Sequence, residues 1–187
     1  MGIAASGSNV ALASTSAVQI YNGLAAGSGI SISNVVGIVG VTDGWLVATM
    51  TTDDAVSLTP LGSDGTLGAS PSLVFPGAPP SMAFGPGDLV LATWLSGSGA
   101  VTTILVDASG DAIGSASSVF FGSGPPSVTT DGDHFFVGGY GISTVIGGYG
   151  SGLVVKWDRV EAAYYEPAVG SLIPSMSESQ LAYLALP

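Results

Sequence analysis

Thirteen carboxylates, one histidine and no cysteine define the chemistry open to this chain of 187 residues. Catalysis by a serine–histidine–aspartate set needs a histidine as base. The single candidate, His134, stands between Asp133 and Phe135 beside a turn, where polarity accounts for it better than catalysis does. A zinc site draws three or four ligands from His, Cys and carboxylates, so one histidine and no cysteine argue against it. Glycoside hydrolysis by an acid and a nucleophile or base is the one enzymatic reading left, because it needs only a pair of carboxylates.

The candidates for that pair are Asp53 and Asp54, Asp131 and Asp133, and Glu161, Glu166 and Glu178. Asp43 and Asp133 recur at equivalent places in a repeat and read as turn residues. Asp53 and Asp54 have no counterpart in the matching loops at 95–100 and 141–143, which makes them the departure with a purpose. Calcium takes oxygen ligands from Asp-rich loops. The pairs Asp107 and Asp111, and Asp131 and Asp133, are too closely spaced for an EF-hand loop. With backbone carbonyls, either pair suits a structural calcium ion, and no other cofactor is expected. The Gly-rich stretch GGYGISTVIGGYGSG (138–152) has no following lysine in P-loop register and no helix to open, so it reads as tight turns and close strand packing.

Aromatic side chains are the remaining binding signal, since sugar and peptide sites use them. Trp94 and Tyr140 share one repeat position at the end of an apolar strand, and with Asp53 and Asp54 they form the candidate binding set; packing in the core is the competing explanation for the two rings. Trp157 lies between Lys156 and Arg159, where a local ion pair or cation–π contact suffices.

Those two residues are the only basic ones, and the net charge is −11. Without a basic patch the chain is not expected to bind nucleic acid or anionic lipid. Hydrophobic residues make up 47%, but 29 glycines and many Ser, Thr and Ala break them into short runs. No run approaches the roughly 18–20 apolar residues of a membrane-spanning helix. Scarce lysine, abundant Ser, Thr and Gly, and few basic cleavage sites lean toward an extracellular or cell-envelope setting.

The elements that position these residues come from a duplication. PPSMAFGPGDLVLATW (79–94) is followed 46 residues on by PPSVTTDGDHFFVGGY (125–140), aligned without a gap. GVTDGWLVATM (40–50) matches the first copy at an offset of 44, which sets Leu46 over Val90. SDGTLGASPSLVF (63–75) and SGDAIGSASSVF (109–120) match in the same way. Helix-spaced apolar patterns are nearly absent; short Val-, Ile-, Phe- and Thr-rich runs between turn clusters predict strands. Each unit reads strand, tight turn, strand, loop, strand, Gly/Asp turn, strand. Four antiparallel strands in about 45 residues is the size of a propeller blade. The predicted second strands, such as Leu89-Val90-Leu91-Ala92, are apolar on both faces, as a strand packed between neighbours must be. A two-layer β-sandwich would alternate more cleanly and is the second choice. The expected blades are 1–34, 35–76, 77–121 and 122–168, with a partial one at 169–187.

The unit, with its PS-small-apolar start and a strand ending Val-Asp-x-x-Gly-x-x-Ile-Gly, resembles blades of secreted bacterial β-propeller repeat proteins. The resemblance is best over 79–120, weaker over 125–140 and loosest over 35–75. It is not the WD40 pattern: Trp157-Asp158 lacks a preceding Gly-His and is not repeated. The resemblance implies a fold and an envelope or extracellular setting, and no activity. Inner hairpins begin near 3, 38, 80, 126 and 174, one more than the outer strand pairs, so a partner chain or further segment is expected to complete a larger propeller. The leading functional expectation is a non-enzymatic binding or assembly module that presents loops to a glycan or protein. The alternatives are a carboxylate-dependent glycan hydrolase using Asp53 or Asp54, and a structural subunit pairing through an exposed sheet edge.

Overall fold

The computed structural model describes residues 2–23, 25–69, 74–76, 78–85, 87–121, 124–130, 135–139, 153–158 and 163–164. Every element among them is a strand, and the strands form four separate four-stranded antiparallel sheets in chain order. Blade 1 holds β1 (Gly2–Ser6), β2 (Asn9–Ala13), β3 (Ala17–Asn22) and β4 (Ala25–Ser31). Blade 2 holds β5 (Val35–Val41), β6 (Gly44–Met50), β7 (Ala55–Gly62) and β8 (Val74–Pro76). Blade 3 holds β9 (Ser81–Gly85), β10 (Leu89–Leu95), β11 (Ala100–Asp107) and β12 (Ala112–Phe121). Blade 4 holds β13 (Ser127–Thr130), β14 (Phe135–Gly139), β15 (Leu153–Asp158) and β16 (Ala163–Tyr164). Four sheets of neighbouring strands, rather than two facing layers, make this a β-propeller architecture and not a sandwich. The half-blade expected at 169–187 lies outside the described residues.

Successive blades meet through their first strands: β1 packs on β5, β5 on β9, and β9 on β13. The second strands of blades 2 and 3 are buried on both faces, which explains their unbroken apolar runs. In β6, Trp45 and Val47 join Ala11, Ala13, Val18 and Ile20 of blade 1 in one core cluster. Leu46 and Ala48, on the opposite face, join Val90, Ala92 and Trp94 of blade 3 in another. A third cluster sets Leu91 and Leu105 of blade 3 against Phe135 and Val137 of blade 4.

Hydrogen bonds cross each of these boundaries. The Ser6 hydroxyl donates to the Val41 carbonyl at 2.6 Å, and the Trp45 indole donates to the Ala4 carbonyl at 3.1 Å. The Val128 amide donates to the Ser81 hydroxyl at 3.1 Å. Two glycines allow neighbouring blades to approach: a Cβ at Gly40 would collide with the Ala5 carbonyl, and one at Gly85 would sit 2.6 Å from the Phe135 ring.

One sequence-level match shifts by a residue. The turn between β5 and β6 spans two residues, because Val41 pairs with Gly44; the turn between β9 and β10 spans three, because Gly85 pairs with Leu89. Counting from the second-strand ends, Trp45 rather than Leu46 is the structural counterpart of Val90. Both face the preceding blade, whereas Leu46 faces the following one. In a period-two structure a slip of one residue exchanges the faces.

Candidate functional site

Blades 1 to 3 send their first-to-second and third-to-fourth turns to one end, and their second-to-third loops to the other. The turn-bearing end collects Asp43, Asp64, Asp88, Asp107 and Asp111. The reason is local: tight turns need residues that tolerate positive φ or cap the chain's own amides. Asp88 has φ 59° and stands beside Gly87 at φ 73°. The Asp64 carboxylate accepts from the Thr66 amide at 2.8 Å. That bond, given chiefly by the Thr66 backbone N–H, holds the Asp64 carboxyl below the ordinary value of 3.8. The Asp107 carboxylate accepts from the amides of Ser109 at 2.8 Å and Asp111 at 3.0 Å, closing the turn between β11 and β12.

Between blades 2 and 3 this end opens into a cavity of about 280 Å³. Thr42, Asp43, Trp45, Pro60 and Leu61 of blade 2 line it, facing Asp88 and Ala108 of blade 3. The Thr42 hydroxyl donates to the Asp88 carboxylate at 3.0 Å and ties the two blades at the rim. Asp43 and Asp88 are both exposed, so the cavity has a negative mouth over apolar walls that include Val41, Pro60 and Ala108. An aliphatic stem with a cationic head matches that combination. The volume falls just below the roughly 300–1,000 Å³ of small-molecule pockets, which suits one side chain rather than an oligosaccharide. Among the described residues no three His, Cys, Asp or Glu side chains are placed to share a metal ion.

The structure describes three of the four residues singled out from sequence. Asp53 and Asp54 are exposed in the loop between β6 and β7, at the opposite end from the cavity. That loop is closed by the Thr51 amide donating to the Ala55 carbonyl at 2.7 Å, and Asp54 takes φ 54°. Trp94 is 3% exposed and belongs to the core between blades 2 and 3, so its ring is not presented at a surface. Burial follows from β10 alternation, which puts Trp94 on the face of Val90 and Ala92. Tyr140 lies outside the described residues. The acidic cavity joins Asp43, which sequence reasoning had treated as a turn residue, to Asp88, which it had not singled out. A signal was present: Asp43, Asp88 and Asp133 recur at a uniform 45-residue spacing. Asp133 itself is outside the described residues.

No protein-family model matches the chain. No curated protein matches it either. Solved structures do. BamB from Moraxella catarrhalis superposes with a TM-score of 0.54 at 12% identity, over 89% of this chain and 51% of that one. The WD40 domain of Toxoplasma gondii coronin superposes with a TM-score of 0.57 at 11% identity, over 88% of this chain and 42% of that one. At such identities the likeness establishes the β-propeller fold, and the chain spans about half the length of these propellers.

Proposed function

We propose that the chain is a non-enzymatic protein-interaction scaffold that takes a basic side chain of a partner into the acidic cavity between blades 2 and 3. The observation that carries this reading is the cavity itself, with Asp43 and Asp88 at its mouth and apolar walls below. A lysine or arginine entering it would lay its aliphatic stem along Val41, Pro60 and Ala108 while its charge meets the two carboxylates. A chain with two basic residues and a net charge of −11 offers a cationic partner little repulsion and favourable steering. The likeness to BamB and to a WD40 domain supports a scaffold role by analogy of fold. The same composition, poor in lysine and rich in Ser, Thr and Gly, supports an extracellular or cell-envelope setting.

The test is a peptide array of neutral, acidic and Lys- or Arg-bearing peptides, run beside a glycan array. The reading expects capture of basic peptides, weakened by salt and by Asp43→Asn with Asp88→Asn. Capture of glycans alone would overturn it. The alternative, hydrolysis of glycans by Asp53 or Asp54, has in its favour that both carboxylates are exposed in one loop. Turnover of a glycan that Asp53→Asn or Asp54→Asn abolishes would replace the binding reading.

A further inference from the structure

The cavity between blades 2 and 3 opens where two glycines leave out a layer of side chains. Leu46, Ala48, Val56 and Leu58 of blade 2 face blade 3. Strand alternation carries that face on to Gly44 and Gly62, which pair across β6 and β7 at the turn-bearing end. The corresponding pairs in the blades on either side have side chains. Blade 1 sets Asn9 against Asn22 on the face of Ala11 and Ile20, and the Asn9 Oδ1 is buried there. Blade 3 sets Leu89 against Asp107 on the face of Leu91 and Leu105. Glycine inside a strand often marks the close approach of a ligand or of another backbone. At Gly44 the backbone is the reason, since φ is 154° and a Cβ would collide with the Leu61 carbonyl. At Gly62 φ is not positive, and the atom nearest to an added Cβ is a side-chain oxygen of Asp64 at 2.7 Å. The fold itself therefore does not demand glycine there.

We propose that Gly62 is a specificity-determining residue: the recess it leaves takes the aliphatic stem of a basic side chain and ranks cations by stem length. The inference rests on the reading of the cavity as a seat for a basic side chain, and it adds which base is preferred. Asp43 of one blade and Asp88 of the next attract any cation alike, so charge alone does not distinguish lysine from a shorter amine. The recess does. Gly62 and Pro60 line it from blade 2 and Ala108 from blade 3, and all three present apolar surface. Each methylene laid against such surface is worth roughly a three- to fourfold gain in affinity. A stem must fill the recess and still bring its charge to the carboxylates, which selects the long bases, lysine and arginine.

Titrations of the intact chain with one peptide, carrying diaminopropionic acid, diaminobutyric acid, ornithine or lysine at a single position, test it. Wild type is expected to gain roughly three- to fourfold in affinity with each added methylene. Gly62→Ser fills the recess from blade 2, and Ala108→Leu fills it from blade 3 without touching the turn at Asp64. Both variants, with unchanged circular dichroism, are expected to keep salt-sensitive binding of the shortest cation and to lose the rise with length. A wild-type series flat in stem length overturns the inference and leaves the charge-based reading standing. So does a rise with length that survives in folded Gly62→Ser and Ala108→Leu. Wild type that binds none of the peptides overturns both.

Discussion

The Thr42 hydroxyl donates to the Asp88 carboxylate at 3.0 Å, joining the first turn of one blade to the first turn of the next across 46 residues of sequence. The bond fixes one oxygen of Asp88 at the rim and leaves the other for a ligand. It also spans the boundary over which the cavity opens, so the site exists only while blades 2 and 3 are packed together. Thr42→Val keeps the shape and deletes the donor. An exposed hydrogen bond of this kind contributes about 0.5–1.5 kcal/mol. Urea denaturation of Thr42→Val should show a loss in that range, together with weaker capture of basic peptides. Unchanged stability and unchanged capture would mean that the rim bond has no role.

Trp45 and Trp94 each pack on the preceding blade, and both are buried. Replacing either by alanine removes a large core side chain and is expected to cost about 3–5 kcal/mol. For Trp94 this separates a core role from a ligand role. Trp94→Phe should bind basic peptides as wild type does while melting at a lower temperature. Lost binding with an unchanged melting temperature would restore the ring as a ligand contact.

Gly40 has no room for a side chain because the Ala5 carbonyl of blade 1 lies against it. Gly40→Ala should destabilise by about 1–3 kcal/mol, as overpacking does. Calorimetry would show a lowered melting temperature. Equal stability would mean that the first strands of blades 1 and 2 are farther apart than described.

Asp64 provides a pH dependence of known sign. Its carboxyl is held below the ordinary value of 3.8, chiefly by the Thr66 amide, so the ionised form favours the folded turn. The contribution is fully present above the ordinary carboxylate range and is lost as pH falls through the lowered value. Following the Thr66 amide by NMR should give a titration midpoint below 3.8, and Asp64→Asn should abolish that titration. A midpoint at or above 3.8 would contradict the hydrogen bond.

The blade was legible in the chain because its signals are local. Gly and Asp mark the turns, and the doubly apolar second strands could be read without knowing their neighbours. What was not legible depended on turn length and on packing between units. Aligning Leu46 with Val90 ignored the extra residue in the turn before β10, and with it the face each side chain takes. Trp94 was a candidate binding ring with core packing as the competing explanation, and alternation from Val90 buries it. Asp43 was read as a turn residue, and Asp88 was not singled out. Only the contact of two blades turns a pair of turn residues into the mouth of a cavity.

The most direct measurement of the central claim is amide shift mapping by NMR with a short lysine- or arginine-bearing peptide. The account predicts shifts confined to the cavity lining, at 41–45, 60–62, 88 and 108, and their loss in Asp43→Asn with Asp88→Asn. Shifts centred instead on the loop at 51–54, surviving that double substitution, would contradict it.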